Sequence, residues 1–355
     1  MANESGIVRK FKKSQDALVI QASDLSLETI SQMAQTGAID VAPLFQRRER
    51  WDVRRQSALI ESFLMNVPVP PVYLSEDDYG SYSVIDGKQR ITAIRDFMLD
   101  HFALSQLTRF EEISGLKFSD LPSELQNSLK VRPYIRAITI LRQSDRSTKY
   151  EVFHRLNSGG EPLNAQEIRN VIYRGPLNDL LLELSEAYFL RRQLKIKDNR
   201  SSAYNLMQDS EAVLRYLVLL DQWRNFSGDY RLSMDRYMER NMDMSEREID
   251  HLRRTFLRAL EACEGIWGRY AFKRPEGNGW RDQMLSGMYD AQMVAVSLVD
   301  DKRIASLVRH GEEVVSRTRE LFEDRYFNEA VRLSTNTPSR VTYRIEKVLQ
   351  LVTDF

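Results

Sequence analysis

Strand-like and helix-like apolar patterns are unevenly divided along this chain. Up to about residue 145, short β-type runs alternate with helical periodicities; beyond it only long helical periodicities remain. Each sheet or helix must bury its apolar face against a neighbour, so this order predicts a mixed domain followed by a helical one. The β-type runs are AIDVAP (38–43), PPVYL (70–74), YSVID (82–86) and RAITILR (136–142), with EDDYGS (76–81) as a hairpin turn. Between them, DLSLETISQMAQTGAI (24–39) reads as a helix that Ser26 caps and Gly37 stops. Asp52 caps a second helix with Leu59, Ile60, Phe63 and Leu64 on its apolar face, and Pro68, Pro70 and Pro71 end it. A third helix follows Arg90 and buries Ala93, Ile94, Phe97 and Met98. The long helical patterns include EAVLRYLVLLDQW (211–223), SEREIDHLRRTFLRALEACEGIW (245–267) and RVTYRIEKVLQLV (340–352). The expected class is α+β: a small mixed α/β N-terminal domain over 21–145 and a mostly α-helical domain over 146–355. Residues 1–20 are polar and read as loose, and 146–175 reads as a bridge that completes a pocket of the first domain.

Bulk properties narrow the function. Lys and Arg number 51, Asp and Glu 51, so no global field draws the protein to nucleic acid and any DNA contact must use local basic patches. Cys263 is the single cysteine, which excludes an internal disulfide framework and a cysteine-based zinc site. It lies in an apolar helical pattern, as a core residue does. The N-terminus lacks the apolar core of a signal peptide, and no apolar stretch approaches spanning length. A cytoplasmic protein without membrane contact is expected. His101, His154, His251 and His310 are scattered, so no metal-ligand pair stands at helical spacing, and there is no Walker-type loop.

The stretch VIDGKQRITAI (84–94) carries the most chemistry. A glycine after a strand permits a tight turn and close approach of a ligand to the backbone. The helix behind it offers free N–H groups and a positive dipole end, a ready anion site. Arg90 in the first helical turn is electrostatically disfavoured there unless a phosphate relieves it. Asp86 could hold a metal ion or orient a water, and Gln89 could position that water. A solvated turn in which Asp86 pairs with Arg90 explains the same residues equally well.

Two further clusters accompany it. In LFQRRERW (44–51), Gln46 and Arg47 follow a strand and could face the same crevice as Arg90, whereas Trp51 reads as a core anchor. In FHRLNSGGEPLNAQEIRN (153–170), Asn164 and Glu167 fit a capping box, which leaves Arg155, Asn157 and Arg169 around a glycine turn. Those three could close over a ligand. RRQLKIKDNR (191–200) is a basic run that could touch DNA phosphates, although such runs are more often solvated faces.

FQRRERW, LIESFLMNVPVPPVYL, VIDGKQR and FHRLNSGGEPLNAQEIRN, in that order over roughly 25–175, resemble the DGQQR-motif branch of the ParB/sulfiredoxin-like superfamily. This is the family of the S component of GmrSD-type modification-dependent restriction systems. DSEAVLRYL and TPSRVTYRIEKV are similar to that family's helical tail. The DGQQR motif stands here as Asp86, Gly87, Lys88, Gln89 and Arg90, with lysine in place of the middle glutamine, and this adds a charge within reach of phosphate. The resemblance implies a ParB-like nucleotide-binding fold, with Gly87 and Arg90 matching the G-x-x-R phosphate turn and Phe153 and Asn157 the F-x-x-x-N motif. It implies a nucleoside triphosphatase that regulates DNA cleavage in anti-phage defence. Asp86 and Gln89 would be catalytic; Gln46, Arg47, Gly87, Lys88, Arg90, Arg155 and Asn157 would bind nucleotide. Magnesium held by Asp86 is the expected cofactor. Members often carry or recruit a histidine–asparagine–histidine nuclease. None is visible here, so a nuclease partner or self-association through the helical domain is expected. The competing reading is a ParB-like DNA-binding protein or nuclease without a triphosphate cycle.

Overall fold

The computed structural model describes residues 4–41, 51–144, 148–149, 152, 155–156, 164–198 and 201–354. The chain divides into two units, 1–164 and 165–355.

The first unit is built on a five-stranded sheet in the order β1-β5-β3-β4-β2. Its strands are β1 (Ile20–Ser26), β2 (Ile39–Asp40), β3 (Val72–Asp78), β4 (Ser81–Asp86) and β5 (Tyr134–Ile140). β1 runs antiparallel to β5, and β3 antiparallel to β4. β3 and β5 are parallel, as are β2 and β4. The helices are α1 (Glu4–Asp16), α2 (Leu27–Gln35), α3 (Val53–Leu64), α4 (Lys88–Met98) and α5 (Ser123–Val131). Ile30, Ile60, Val72, Val84, Ile91, Ile94 and Phe97 are among the side chains that close the core. Ser26 and Asp52 cap α2 and α3 by accepting the amides of Thr29 and Arg55, as their sequence positions predict. Gly37 follows α2 at φ +81°, the left-handed stop expected of it.

Two details differ from expectation. The stretch read as loose contains α1, whose Ile7, Val8 and Phe11 share a face at helical spacing but are all exposed. Residues 20–26 form β1 rather than the lead-in to a helix, because they pair along their whole length with 134–140.

The second unit is helical. Its helices are α6 (Ala165–Ile172), α7 (Pro176–Ser185), α8 (Tyr188–Gln193), α9 (Ser202–Asn205), α10 (Gln208–Gln222), α11 (Tyr230–Arg240), α12 (Glu246–Trp267), α13 (Ser286–Ser297), α14 (Asp301–Arg309), α15 (Gly311–Leu321), α16 (Arg325–Arg332) and α17 (Pro338–Thr353). A small hairpin of β6 (Pro275–Glu276) and β7 (Gly279–Trp280) follows α12. The fold class is therefore α+β. In the last helix, α17, Val341, Ile345, Val348 and Val352 are buried, and it packs on α13 and α16. Among the described residues, no helix is long and apolar enough to cross a membrane.

A buried ionic knot holds this unit. Asp290 on α13 is fully buried and accepts two bonds from Arg215 on α10, each 2.6 Å. It also accepts from Arg344 Nη2 on α17 at 2.6 Å and from the Tyr230 hydroxyl at 3.1 Å. Burial opposes its charge, but the two guanidinium groups and the hydroxyl outweigh it, so its pKa lies below the usual aspartate value. Arg344 Nη1 reaches the carbonyls of Ala330 and Thr335, at 2.9 and 2.8 Å.

Candidate functional site

The turn between β4 and α4 is a tight one. Gly87 adopts φ +95°, ψ +11°, a left-handed conformation open to glycine at little steric cost. Space demands glycine too: a Cβ there would lie 2.5 Å from Cγ1 of Val72, a fully buried residue of β3. The backbone of this turn is thus pressed against the sheet. The first intrahelical bond of α4 runs from the Ile91 amide to the Gly87 carbonyl, 2.9 Å. Gly87 offers no side chain to cap the helix, and the first turn of α4 contains no acid. Lys88 and Arg90 stand there instead, against the helix dipole. α2 and α3 of the same unit, by contrast, both have side-chain caps.

Arg90 is largely buried, with 15% of its side chain exposed, while Asp86 keeps 43%. Their side chains meet in an ion pair, Nη2 to Oδ2 at 2.7 Å, and the same nitrogen reaches the Pro71 carbonyl at 3.2 Å. The pairing that the plain-turn reading anticipates is therefore present. It does not satisfy the guanidinium, whose buried Nε has no hydrogen-bond partner. Such an orphan donor in a half-enclosed turn calls for an explanation. Gln89 points its Oε1 at the Trp51 amide, 3.0 Å away, and so fixes the chain just ahead of α3. Trp51 packs partly buried against the core, as an anchor should. Lys88 is the first residue of α4 and is half-buried.

The structure brings Asp86, Gly87, Lys88, Gln89 and Arg90 into one turn beside Pro71 and Trp51. Arg155 is exposed. Gln46, Arg47, Phe153 and Asn157 lie outside the described residues. Arg169 is not a ligand-facing cation: it is 1% exposed on α6, with Nε 2.7 Å from Asp235 Oδ1 and further bonds to Gln166 and the Arg231 carbonyl. That network ties α6 to α11 within the helical unit.

Glu61 is a polar residue that periodicity alone does not single out. It is 5% exposed and accepts the amides of Thr108, Arg109 and Phe110 at 2.8, 2.6 and 3.2 Å, and the Thr108 hydroxyl at 3.1 Å. Burial raises its pKa, but these donors lower it further, and the carboxyl ends below its ordinary value. Its work is to pin the loop after α4 to α3.

Magnesium usually needs only one or two protein carboxylates when phosphates complete its shell. Asp86, half-exposed with one oxygen on Arg90, fits that role. No group of three or more His, Cys, Asp or Glu among the described residues could hold a metal by itself.

Residues 27–174 match the family model described as GmrSD restriction endonuclease, N-terminal domain. The matched span covers the stretch whose motifs carry the resemblance to GmrSD-type components. No curated protein and no solved structure matches the chain.

Proposed function

We propose, with a GmrSD-type N-terminal domain as the premise, that this chain is the nucleotide-dependent regulatory component of a restriction system active against phage. In this reading, the 86–90 turn binds the phosphates of a nucleoside triphosphate. One observation carries it: α4 starts, without a side-chain cap from its N-cap residue, after a glycine pressed against the sheet, beside an arginine with a buried, unpartnered Nε. Phosphate oxygens would accept from the first-turn amides, from Lys88 and from Arg90, and would remove the conflict between these cations and the helix dipole. Asp86 holds Arg90 in place until nucleotide arrives and then shares it. A magnesium ion, held by Asp86 and the phosphates, would supply charge neutralisation at the transferring phosphoryl group. Asp86 also orients the attacking water, and Gln89 braces the pocket wall through Trp51. Gln46, Arg47, Arg155 and Asn157 extend the nucleotide contacts. DNA cleavage is carried out by a partner nuclease that this chain controls.

The test is phosphate release from each triphosphate with magnesium, compared between wild type and Arg90→Ala. Turnover and binding by wild type, with affinity down about tenfold or more in the variant, are expected. A folded wild-type protein that neither binds nor hydrolyses any triphosphate leaves the 86–90 turn as a structural feature.

A further inference from the structure

The helical unit holds a second candidate site, built from other chemistry. Two surface hollows share Arg269, Lys273 and Asp282 and form one trough. One hollow, about 880 Å³, takes in Tyr188, Arg192, Lys195 and Lys197; the other, about 550 Å³, takes in Tyr270, Trp280 and Arg319. Seven lysines and arginines line the trough against four carboxylates, in a chain with no net charge. The surplus is therefore local, which is the only way this protein can attract a polyanion.

Arg191 pairs with Glu186 and Arg192 with Glu264, so the surplus rests on the remaining cations. Asp282 alone serves both Lys195 and Lys273, at 3.0 and 2.7 Å. Lys197 is exposed and has no ion-pair partner among the described residues. Arg269 donates to the Tyr270 hydroxyl at 2.6 Å rather than to a carboxylate. Aromatic rings alternate with these cations. Tyr270 and Trp280 stack with centroids 5.4 Å apart. Arg319 lies 5.4 Å from the Trp280 ring and bonds the carbonyls of Gly277, Asn278 and Gly279, which makes the hairpin a fixed wall. Tyr188 is 76% exposed, with the Arg192 guanidinium 5.8 Å from its ring centroid.

A positive groove interleaved with ring faces suits a strand whose phosphates follow the cations and whose bases stack. An acidic peptide would use the charges but not the rings. We propose that this trough binds single-stranded DNA, with Lys195, Lys197 and Arg269 on phosphates and Tyr188 under a base. Its biological sense rests on the restriction reading above, as the surface through which the regulator holds DNA; its test does not.

Fluorescence anisotropy of the full chain with a labelled 20-nucleotide strand, without nucleotide and across a salt series, decides it. Wild type should bind. Lys195→Gln/Lys197→Gln/Arg269→Gln should weaken binding at least tenfold and lower the salt slope by about 2, from three contacts at about 0.7 each. Tyr188→Ala should cost roughly fivefold or more on the single strand and much less on a duplex of equal length. Arg90→Ala should leave strand binding intact, so failure of the triphosphate reading and failure of the trough are told apart. Should the triple variant misfold by circular dichroism, Lys197→Gln alone, at an exposed position, should still lower the slope. The proposal is overturned if wild type ignores the strand, or if the trough variants bind it with unchanged slope. It is equally overturned if Arg9→Gln/Lys12→Gln/Lys13→Gln on α1 causes the same loss, if the duplex is preferred, or if polyglutamate competes as well as DNA.

Discussion

At Gly87, backbone angle and neighbouring volume make the same demand. Gly87→Ala would place a methyl group against Val72 in a left-handed conformation, and should cost about 1–3 kcal/mol while distorting the first turn of α4. A lowered melting temperature together with lost triphosphate affinity is the expected result; a variant as stable as wild type would contradict the packing. Arg90→Ala removes one charge-assisted contact, worth about 1.5–3 kcal/mol, so calorimetric titration should show affinity for triphosphate down about tenfold or more. Asp86→Ala acts differently: it removes negative charge beside the phosphates and frees Arg90, so binding should hold while turnover vanishes. Wild-type turnover in that variant would leave Asp86 as a turn residue only. Glu61 adds a pH test. Its folded pKa is depressed below the ordinary 4.5, so its stabilising effect is present in full above 4.5 and is lost as pH falls through the folded value. Glu61→Gln can keep a carbonyl oxygen on the three amides and turn its NH₂ to the Thr108 hydroxyl, but it loses the negative charge these donors stabilise, and should destabilise by about 1–3 kcal/mol near neutrality, with the gap to wild type closing in acid. Denaturant melts at a series of pH values read this directly.

Elements were legible where a local device defines them. Ser26 and Asp52 stand at helix starts because a short side-chain oxygen there accepts an otherwise unpaired amide, and the Pro68–Pro71 run cannot continue a helix. β1 was not legible: the two-residue alternation of IQASDLS breaks at Ser23 and Asp24, and what makes it a strand is a partner more than a hundred residues away. The Asp86–Arg90 pair was readable as a turn contact, but the Pro71 carbonyl that shares Arg90 was not, since only tertiary packing brings that backbone oxygen close. The tail motifs DSEAVLRYL and TPSRVTYRIEKV find their physical meaning at this scale: they supply Arg215 and Arg344, the two cations around Asp290. Arg344→Met should therefore destabilise the helical unit by about 3–5 kcal/mol, because a buried carboxylate loses one of its partners. Gly287→Ala should also separate α13 from α16, since its Cβ would meet the Val331 carbonyl at 2.5 Å. Melts of both variants check this, and a neutral Gly287→Ala would show that the helices can shift apart cheaply.

For the molecule as a whole, the sequence changes character near residue 145, and the structure divides into units at 164/165. Among the described residues, the buried helical face of the second unit starts with α6, where Ile168 and Val171 are buried and Arg169 is tied to Asp235. The helices from α6 to α17 bury Leu214, Leu217, Phe256, Trp267, Met288, Val294, Phe327 and Ile345 within their own unit, and both cations of the Asp290 knot come from it. A piece spanning 165–355 should therefore fold alone, with helical circular dichroism and a cooperative melt. If the two sites are separate, single-stranded DNA should raise the melting temperature of that piece, because a ligand of the folded state stabilises it in proportion to its occupancy. A triphosphate with magnesium should not, since the turn at Gly87 is missing from it. In the full chain, each ligand should give a shift of its own, and Arg90→Ala should abolish the triphosphate shift alone. A triphosphate shift retained by the 165–355 piece would move the nucleotide site out of the first unit and take the proposed role of the 86–90 turn with it.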